Sequence, residues 1–213
     1  MGWTADRGGH RFAAGCARCR GACRACCLVD PLIDWLVLTG GASSRLGQDK
    51  ASTPINGRTM FERACDAIRS VDPEAVLIEL GSDVGGGPAA AVVSALPSCT
   101  SEFVGVVAVD MPMVRAALGV VVDSLAASSP KVDAWIPITA GGRRQWLSAL
   151  YRRESLLRAA SNRDFRNRPF HELVDDLSVF EVSVPSDVSL LDVDTPADLK
   201  RAIAQVEGSE PMR

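Results

Sequence analysis

From residue 34 onward, short apolar runs alternate with segments whose apolar residues recur at helical spacing. Asp34–Leu38 (DWLVL) reads as a buried first strand ending in a Gly-rich loop. Thr59, with Glu62 three residues on, is a capping box, because the hydroxyl and the carboxylate satisfy orphan amides at a helix start. Met60, Ala64, Ile68 and Val71 follow at helical spacing, and Asp72-Pro73 ends that helix. Ala75–Leu80 reads as a second strand, and Gly85-Gly86-Gly87-Pro88 leads into a helix with Pro88 suited to its first position. Glu102–Asp110 reads as a third strand and Arg115–Ala127 as a helix. Val132–Ile138 and Arg144–Tyr151 form a predicted hairpin around Ala140-Gly141-Gly142. Helical patterns follow around 154–161 and 169–177, then a strand at Val179–Val184. Thr195 caps and Pro196 starts a last helix running through Ala197–Val206. Strand–helix alternation predicts an α/β fold, a mostly parallel sheet with helices on both faces and an antiparallel insertion in its second half.

Composition and charge narrow the function. The chain has 213 residues, 47% hydrophobic and 23% charged, which is globular and long enough to bury a core without disulfides or structural metal. A net charge of −3 excludes a strongly basic nucleic-acid binder. The longest apolar runs, such as Phe103–Val109 and Ala116–Val122, are far too short to span a bilayer. Residues 1–30 differ from the rest: five Arg against two Asp, and five of the seven Cys, at 16, 19, 23, 26 and 27. Their two C-x-x-C pairs lie three residues apart, where zinc frames separate such pairs by about 12–20. Residues 1–33 are therefore expected to be a disordered Arg/Cys-rich leader, followed by one domain over 34–208. Charges interrupt every apolar stretch of the leader, so it does not read as a secretory signal and the chain reads as cytoplasmic. Cys65 and Cys99 stand alone and are expected to be small core residues.

The loop after the first strand carries the chemistry. Gly40-Gly41-Ala42-Ser43-Ser44-Arg45-Leu46-Gly47-Gln48-Asp49-Lys50 begins with two residues that let backbone amides approach a ligand a Cβ would block. Small residues then turn successive amides inward as an anion nest. Arg45 and Lys50 bring cations to the same place, and a triphosphate calls for that combination. The loop is neither a P-loop nor a dinucleotide fingerprint, for it lacks G-K-[ST] and G-x-G-x-x-G. Asp110 ends the third strand before Met111-Pro112, at the carboxyl edge where open α/β sheets bind ligands. Mg²⁺ takes few protein carboxylates and fills its other positions with phosphate and water, so one well-placed Asp suits it. Asp192-Val193-Asp194 puts two more carboxylates on one side of an extended segment, which equally decorate the start of the helix that Thr195 caps.

The segment Leu38–Lys50 resembles the pattern L-A-G-G-x-S-x-R-M-G-x-D-K of the MobA-like nucleotidyltransferases, with Thr39 for Ala and Leu46 for Met. The strand-Asp110-Met111-Pro112 context, the Gly141–Tyr151 segment and Asp192–Pro196 extend the resemblance over roughly 34–204, and it is nearest to molybdenum cofactor guanylyltransferase. The resemblance implies a Rossmann-like three-layer α/β/α sandwich of the nucleotide-diphospho-sugar transferase type. It implies Mg²⁺-dependent transfer of GMP from GTP to molybdopterin, with pyrophosphate leaving. In this reading Gly40, Gly41, Ala42 and Ser43 bind the nucleotide phosphates and Leu38 packs near the base. Lys50 and Arg45 neutralise the pyrophosphate. Asp110, with Asp194 or Asp192, holds the metal, and Arg144 and Gln145 are candidates for the acceptor. The family pattern has Asn where Asp192 and Asp194 stand, which leaves the acceptor open. A strand is also missing between Ala75–Leu80 and the glycine loop, so Asp83, or more weakly Glu79, stands in as reader of guanine. A molybdopterin cytidylyltransferase, another small-molecule phosphate nucleotidyltransferase and a non-catalytic nucleotide-binding or docking protein are the alternatives. The implied partners are GTP and molybdopterin, with transient contact to molybdoenzymes or cofactor-insertion proteins, and neither nucleic acid nor membrane.

Overall fold

The computed structural model describes residues 33–40, 46–81, 84–185 and 190–209. The leader expected over 1–33 lies outside them, save Ile33, which already belongs to the first strand. Strand β1 (Ile33–Leu38) is buried along its whole length. A two-residue hairpin follows, β2 (Pro54–Ile55) with β3 (Arg58–Thr59), and then helix α1 (Met60–Val71). The predicted capping box is present: Thr59 Oγ1 accepts from Glu62 N–H at 3.1 Å, and Thr59 N–H donates to Glu62 Oε2 at 2.8 Å. Next come β4 (Val76–Leu80), α2 (Gly87–Ala95), β5 (Phe103–Ala108) and α3 (Arg115–Ser124). The second half contains β6 (Ala134–Ile138), β7 (Ser148–Arg152), α4 (Arg153–Ala160), α5 (His171–Val174), β8 (Val179–Ser183) and α6 (Pro196–Ser209).

Six strands form one sheet in the order β4-β1-β5-β7-β6-β8. All pairings are parallel except those of β7, which runs against both β5 and β6. This is the predicted antiparallel insertion. Side-chain alternation sends Trp35, Val37, Val107, Trp135 and Leu150 to one face, under α1, α3 and α6. Leu36, Leu38, Val104, Val106, Ile136 and Tyr151 go to the other, under α2, α4 and α5. The result is the expected three-layer α/β/α sandwich. Asp34, 5% exposed, fastens the start of β1 by accepting the amides of Thr100 and Ser101 at 2.6 and 2.8 Å. Cys65 and Cys99 are buried free thiols, as expected, and burial pushes the Cys99 thiol up to about 11.

Two expectations need correction. The strand predicted over Arg144–Tyr151 pairs with β6 at one isolated bridge, Ile138 with Arg144, and resumes only at Ser148. Between them residues 145–147 make a tight turn that stays bonded to the sheet: Gln145 N–H donates to the Pro137 carbonyl at 2.9 Å, Ser148 N–H turns back to the Gln145 carbonyl at 3.2 Å, and the Leu147 carbonyl accepts the Ala108 amide at 2.8 Å. The helix predicted over 169–177 closes after one turn at Val174, where Asp175 and Asp176 put like charge on its negative end.

Candidate active site

The parallel neighbours β1 and β5 end together, with Leu38 opposite Ala108, and Val109 N–H donates to the Leu38 carbonyl at 3.2 Å. This seam carries the chain to Asp110 at the open end of the sheet. Lys50 arrives from the loop after β1. Leu46, 8% exposed, anchors that loop in the α1-side core. A tight turn follows in which Asp49 Oδ2 accepts the Ser52 amide at 2.9 Å and hydroxyl at 2.5 Å, and Thr53 Oγ1 donates to the Asp49 carbonyl at 2.7 Å. Those Ser52 bonds hold the Asp49 carboxyl below the ordinary carboxylate range. The Asp of the loop pattern thus shapes the turn that presents Lys50.

Lys50 Nζ stands 2.5 Å from Asp194 Oδ1 and 3.5 Å from Asp110 Oδ2, with its side chain only 14% exposed. Burial pulls the ammonium down, but the Asp194 bond and the charges of Asp110 and Asp194 outweigh it, so its pKa lies above the ordinary lysine value. Burial pushes the Asp110 carboxyl up; Lys50 opposes this, and the negative charges of Asp192 and Asp194 add to it. The backbone locks the same elements together, since Val193 N–H donates to the Asp110 carbonyl at 2.8 Å. Val193 is fully buried, and both flanking carboxylates line one cleft. Asp192 pairs with Arg143 at 2.8 Å. The segment then enters α6 through a second capping box: Asp198 Oδ2 accepts the Thr195 amide at 2.9 Å and Thr195 Oγ1 accepts the Asp198 amide at 3.2 Å.

The cleft, about 770 Å³, runs from Asp110 and Met111 past the turn at 145–147 to Phe170 and His171. Arg144 bonds Glu181 through Nε at 2.7 Å and lies 5.3 Å from the Trp146 ring centre. Gln145 is 5% exposed. The Tyr151 hydroxyl, deep in the opposite core, donates to the Trp146 carbonyl at 2.6 Å and so ties the turn to the sheet.

The structure therefore joins Lys50, Asp110, Asp192 and Asp194, and sets Arg144 and Gln145 on the same cleft. Leu38 is buried in the α2-side core. The Gly40 amide is used within the fold, donating with Thr39 to the Leu80 carbonyl at 3.2 and 3.0 Å. Glu79 accepts the Thr39 hydroxyl at 3.2 Å. Gly41, Ala42, Ser43, Arg45 and Asp83 lie outside the described residues. Arg143 and Trp146 were not singled out from the sequence as site residues. The available signal is the Arg143-Arg144 pair beside a hairpin tip.

The sequence profile of the MobA-like NTP transferase domain matches residues 35–175. The chain belongs to this family. A relative named "Probable molybdenum cofactor guanylyltransferase" in Mycolicibacterium paratuberculosis is 29% identical over 189 residues, covering 80% of this chain and 94% of the relative. Among solved structures, molybdopterin-guanine dinucleotide biosynthesis protein A from Archaeoglobus fulgidus superposes with a TM-score of 0.61 at 22% identity, covering 82% of this chain and 99% of that one. The 2-C-methyl-D-erythritol 4-phosphate cytidylyltransferase of Thermus thermophilus gives 0.57 at 19% identity, covering 81% and 98%. These two likenesses establish the NTP transferase fold. Among the described residues of this family member, no helix is long and apolar enough to cross a membrane, and no three His, Cys, Asp or Glu side chains form a ready metal cage.

Proposed function

We propose that this MobA-like NTP transferase moves GMP from GTP onto the terminal phosphate of molybdopterin, a cytoplasmic step of molybdenum cofactor biosynthesis that releases pyrophosphate. The observation that carries the reading is the meeting of Lys50 with Asp110 and Asp194, two carboxylates that line the cleft. An oxygen of the acceptor phosphate forms a bond to the α-phosphorus while the bond to the β-phosphate oxygen breaks in line. No covalent enzyme intermediate is required, so positioning and charge neutralisation supply the rate.

Asp110 Oδ2 and Asp194 Oδ1 both lie within reach of one ammonium nitrogen, so two hard carboxylate oxygens converge on a single point, a donor set that fits Mg²⁺. When bound there, Mg²⁺ would supply charge neutralisation on the reacting phosphates. Lys50, a mobile point charge, neutralises the departing pyrophosphate. Arg143, Arg144 and the Trp146 face line the part of the cleft beyond the carboxylates, suited to an acceptor that is both anionic and planar.

The test is direct. Purified protein with Mg²⁺, GTP or CTP and molybdopterin is assayed for pyrophosphate and for the dinucleotide by mass. A guanine dinucleotide is expected, and Asp110→Ala should lower the rate by about 10²–10³. Wild-type turnover in Asp110→Ala, or a cytosine product alone, overturns the reading. The short connection from Leu80 to Gly87 makes the base the point to check, and a panel of triphosphates in a thermal-shift assay reads it independently, because a preferred nucleotide raises the melting temperature most.

A further inference from the structure

The ammonium of Lys50 already occupies the point on which Asp110 and Asp194 converge. A Mg²⁺ ion on Asp194 Oδ1 would need a bond of about 2.1 Å to an oxygen that this ammonium approaches to 2.5 Å. Two cations cannot share that oxygen from the same side. The charges say the same: Asp110, Asp192 and Asp194 face Lys50 and Arg143, three negative groups against two positive ones. Withdrawing Lys50 leaves two uncompensated negative charges, which a dication matches; adding a dication with Lys50 in place leaves an excess of positive charge. The Lys50 backbone is fixed, because its carbonyl accepts the Thr53 amide at 3.1 Å within the Asp49–Thr53 turn. Only the four-carbon stem is free to swing.

We infer that Lys50 is the resident counter-ion of this pocket and makes divalent metal and triphosphate bind as a pair. Resting on the metal reading above, the inference assigns Lys50 two positions. In one it closes Asp110 and Asp194 against a divalent cation. In the other it has moved onto the phosphates of an incoming nucleotide. Metal alone would strand the ammonium without an anion, and triphosphate alone would meet a pocket of net negative charge. Arriving together, each supplies the counter-charge that the other lacks. The coupling is reciprocal, so each ligand raises the affinity for the other by one and the same factor.

Mn²⁺ serves as the probe, titrated by calorimetry and by loss of the free-ion paramagnetic signal, with and without a GTP analogue carrying a methylene between the α- and β-phosphorus. After subtraction of a protein-free titration that measures chelation by the analogue itself, wild type is expected to bind Mn²⁺ about ten- to a hundredfold more tightly with the analogue than without it. Lys50→Met should bind Mn²⁺ alone about tenfold more tightly than wild type, so that its coupling shrinks by that factor and only the part due to direct coordination of the metal by the phosphates remains. Lys50→Gln, which keeps a polar end, repeats the measurement should the apolar variant fold poorly, and circular dichroism melts check both. Equal affinity of wild type and the Lys50 variants for Mn²⁺ alone overturns the inference and leaves the metal reading standing. Absence of Mn²⁺ binding in every protein, beyond what the analogue alone binds, overturns both.

Discussion

Adding one methyl group at position 105 tests how the sheet is packed beneath the site. Gly105 on β5 pairs with Trp35 on β1, and a Cβ built there would meet Trp35 Cε3 at 2.2 Å, Cζ3 at 2.5 Å and Cδ2 at 2.6 Å. The indole lies flat across the neighbouring strand, over the one position without a side chain. It cannot retreat: Trp35 is fully buried among α1 and α3, and its Nε1–H donates to Asp72 Oδ2 at 2.9 Å, at the C-cap of α1. Overpacking of this kind costs about 1–3 kcal/mol. Displacing the ring also loses the Asp72 bond, worth about 1 kcal/mol net. The lower unfolded-state entropy of Ala returns about 0.4–1 kcal/mol. Gly105→Ala is thus expected to destabilise by about 2–3 kcal/mol, a fall of roughly 5–10 °C in Tm for a domain of this size. Urea titrations followed by circular dichroism and tryptophan fluorescence measure it. Trp35→Leu in the Gly105→Ala background should cost less than the sum of the two single changes. An unchanged urea midpoint, or strict additivity in that cycle, would refute the steric argument.

Two further perturbations reach the cleft and its supports. Tyr151→Phe removes the 2.6 Å bond to the Trp146 carbonyl while keeping the buried ring; a several-fold rise in KM for the acceptor with a smaller change in kcat is expected from steady-state kinetics. A loss of thermal stability with both constants unchanged would reduce Tyr151 to a packing residue. The Asp198 carboxyl is held down to about 2, first by the Thr195 hydroxyl and then by Arg201. A lowered pKa contributes stability above the ordinary value of 3.8, and that contribution is lost as pH falls through about 2. The Tm gap between wild type and Asp198→Asn should therefore stay constant from pH 7 to 5 and close between pH 4 and 2. A gap that persists at pH 2 contradicts the capping role.

The readable parts of this sequence were those whose signals are local. Thr59 with Glu62 and Thr195 with Pro196 named their helix starts because a capping side chain acts within one turn. The hairpin of β2 and β3 carries a strong short-range turn signal in Asn56-Gly57, both at positive φ (49° and 75°), but its two-residue strands leave no periodicity to go with it. The turn at Gln145–Leu147 is not legible in the sequence, since it depends on the Pro137 carbonyl and the Tyr151 hydroxyl, partners set by the fold. The site divides in the same way. Lys50 and Asp110 each announced an ionic role, but their meeting with Asp194, 144 residues away from Lys50 in sequence, is a product of tertiary structure.

Strand β4 closes one side of the sheet, and among the described residues its outer backbone has no neighbour; Val76 there is 57% exposed. Five residues and one charge, Glu79, are modest protection for such a border. The connection from Leu80 to Gly87 is short in sequence, so a longer one would offer a seventh ribbon to the outer edge of β4. The sheet is extensible from this flank, and lengthening that one connection would remodel the neighbourhood of Thr39 and Glu79 while the lysine–aspartate centre stayed as it is.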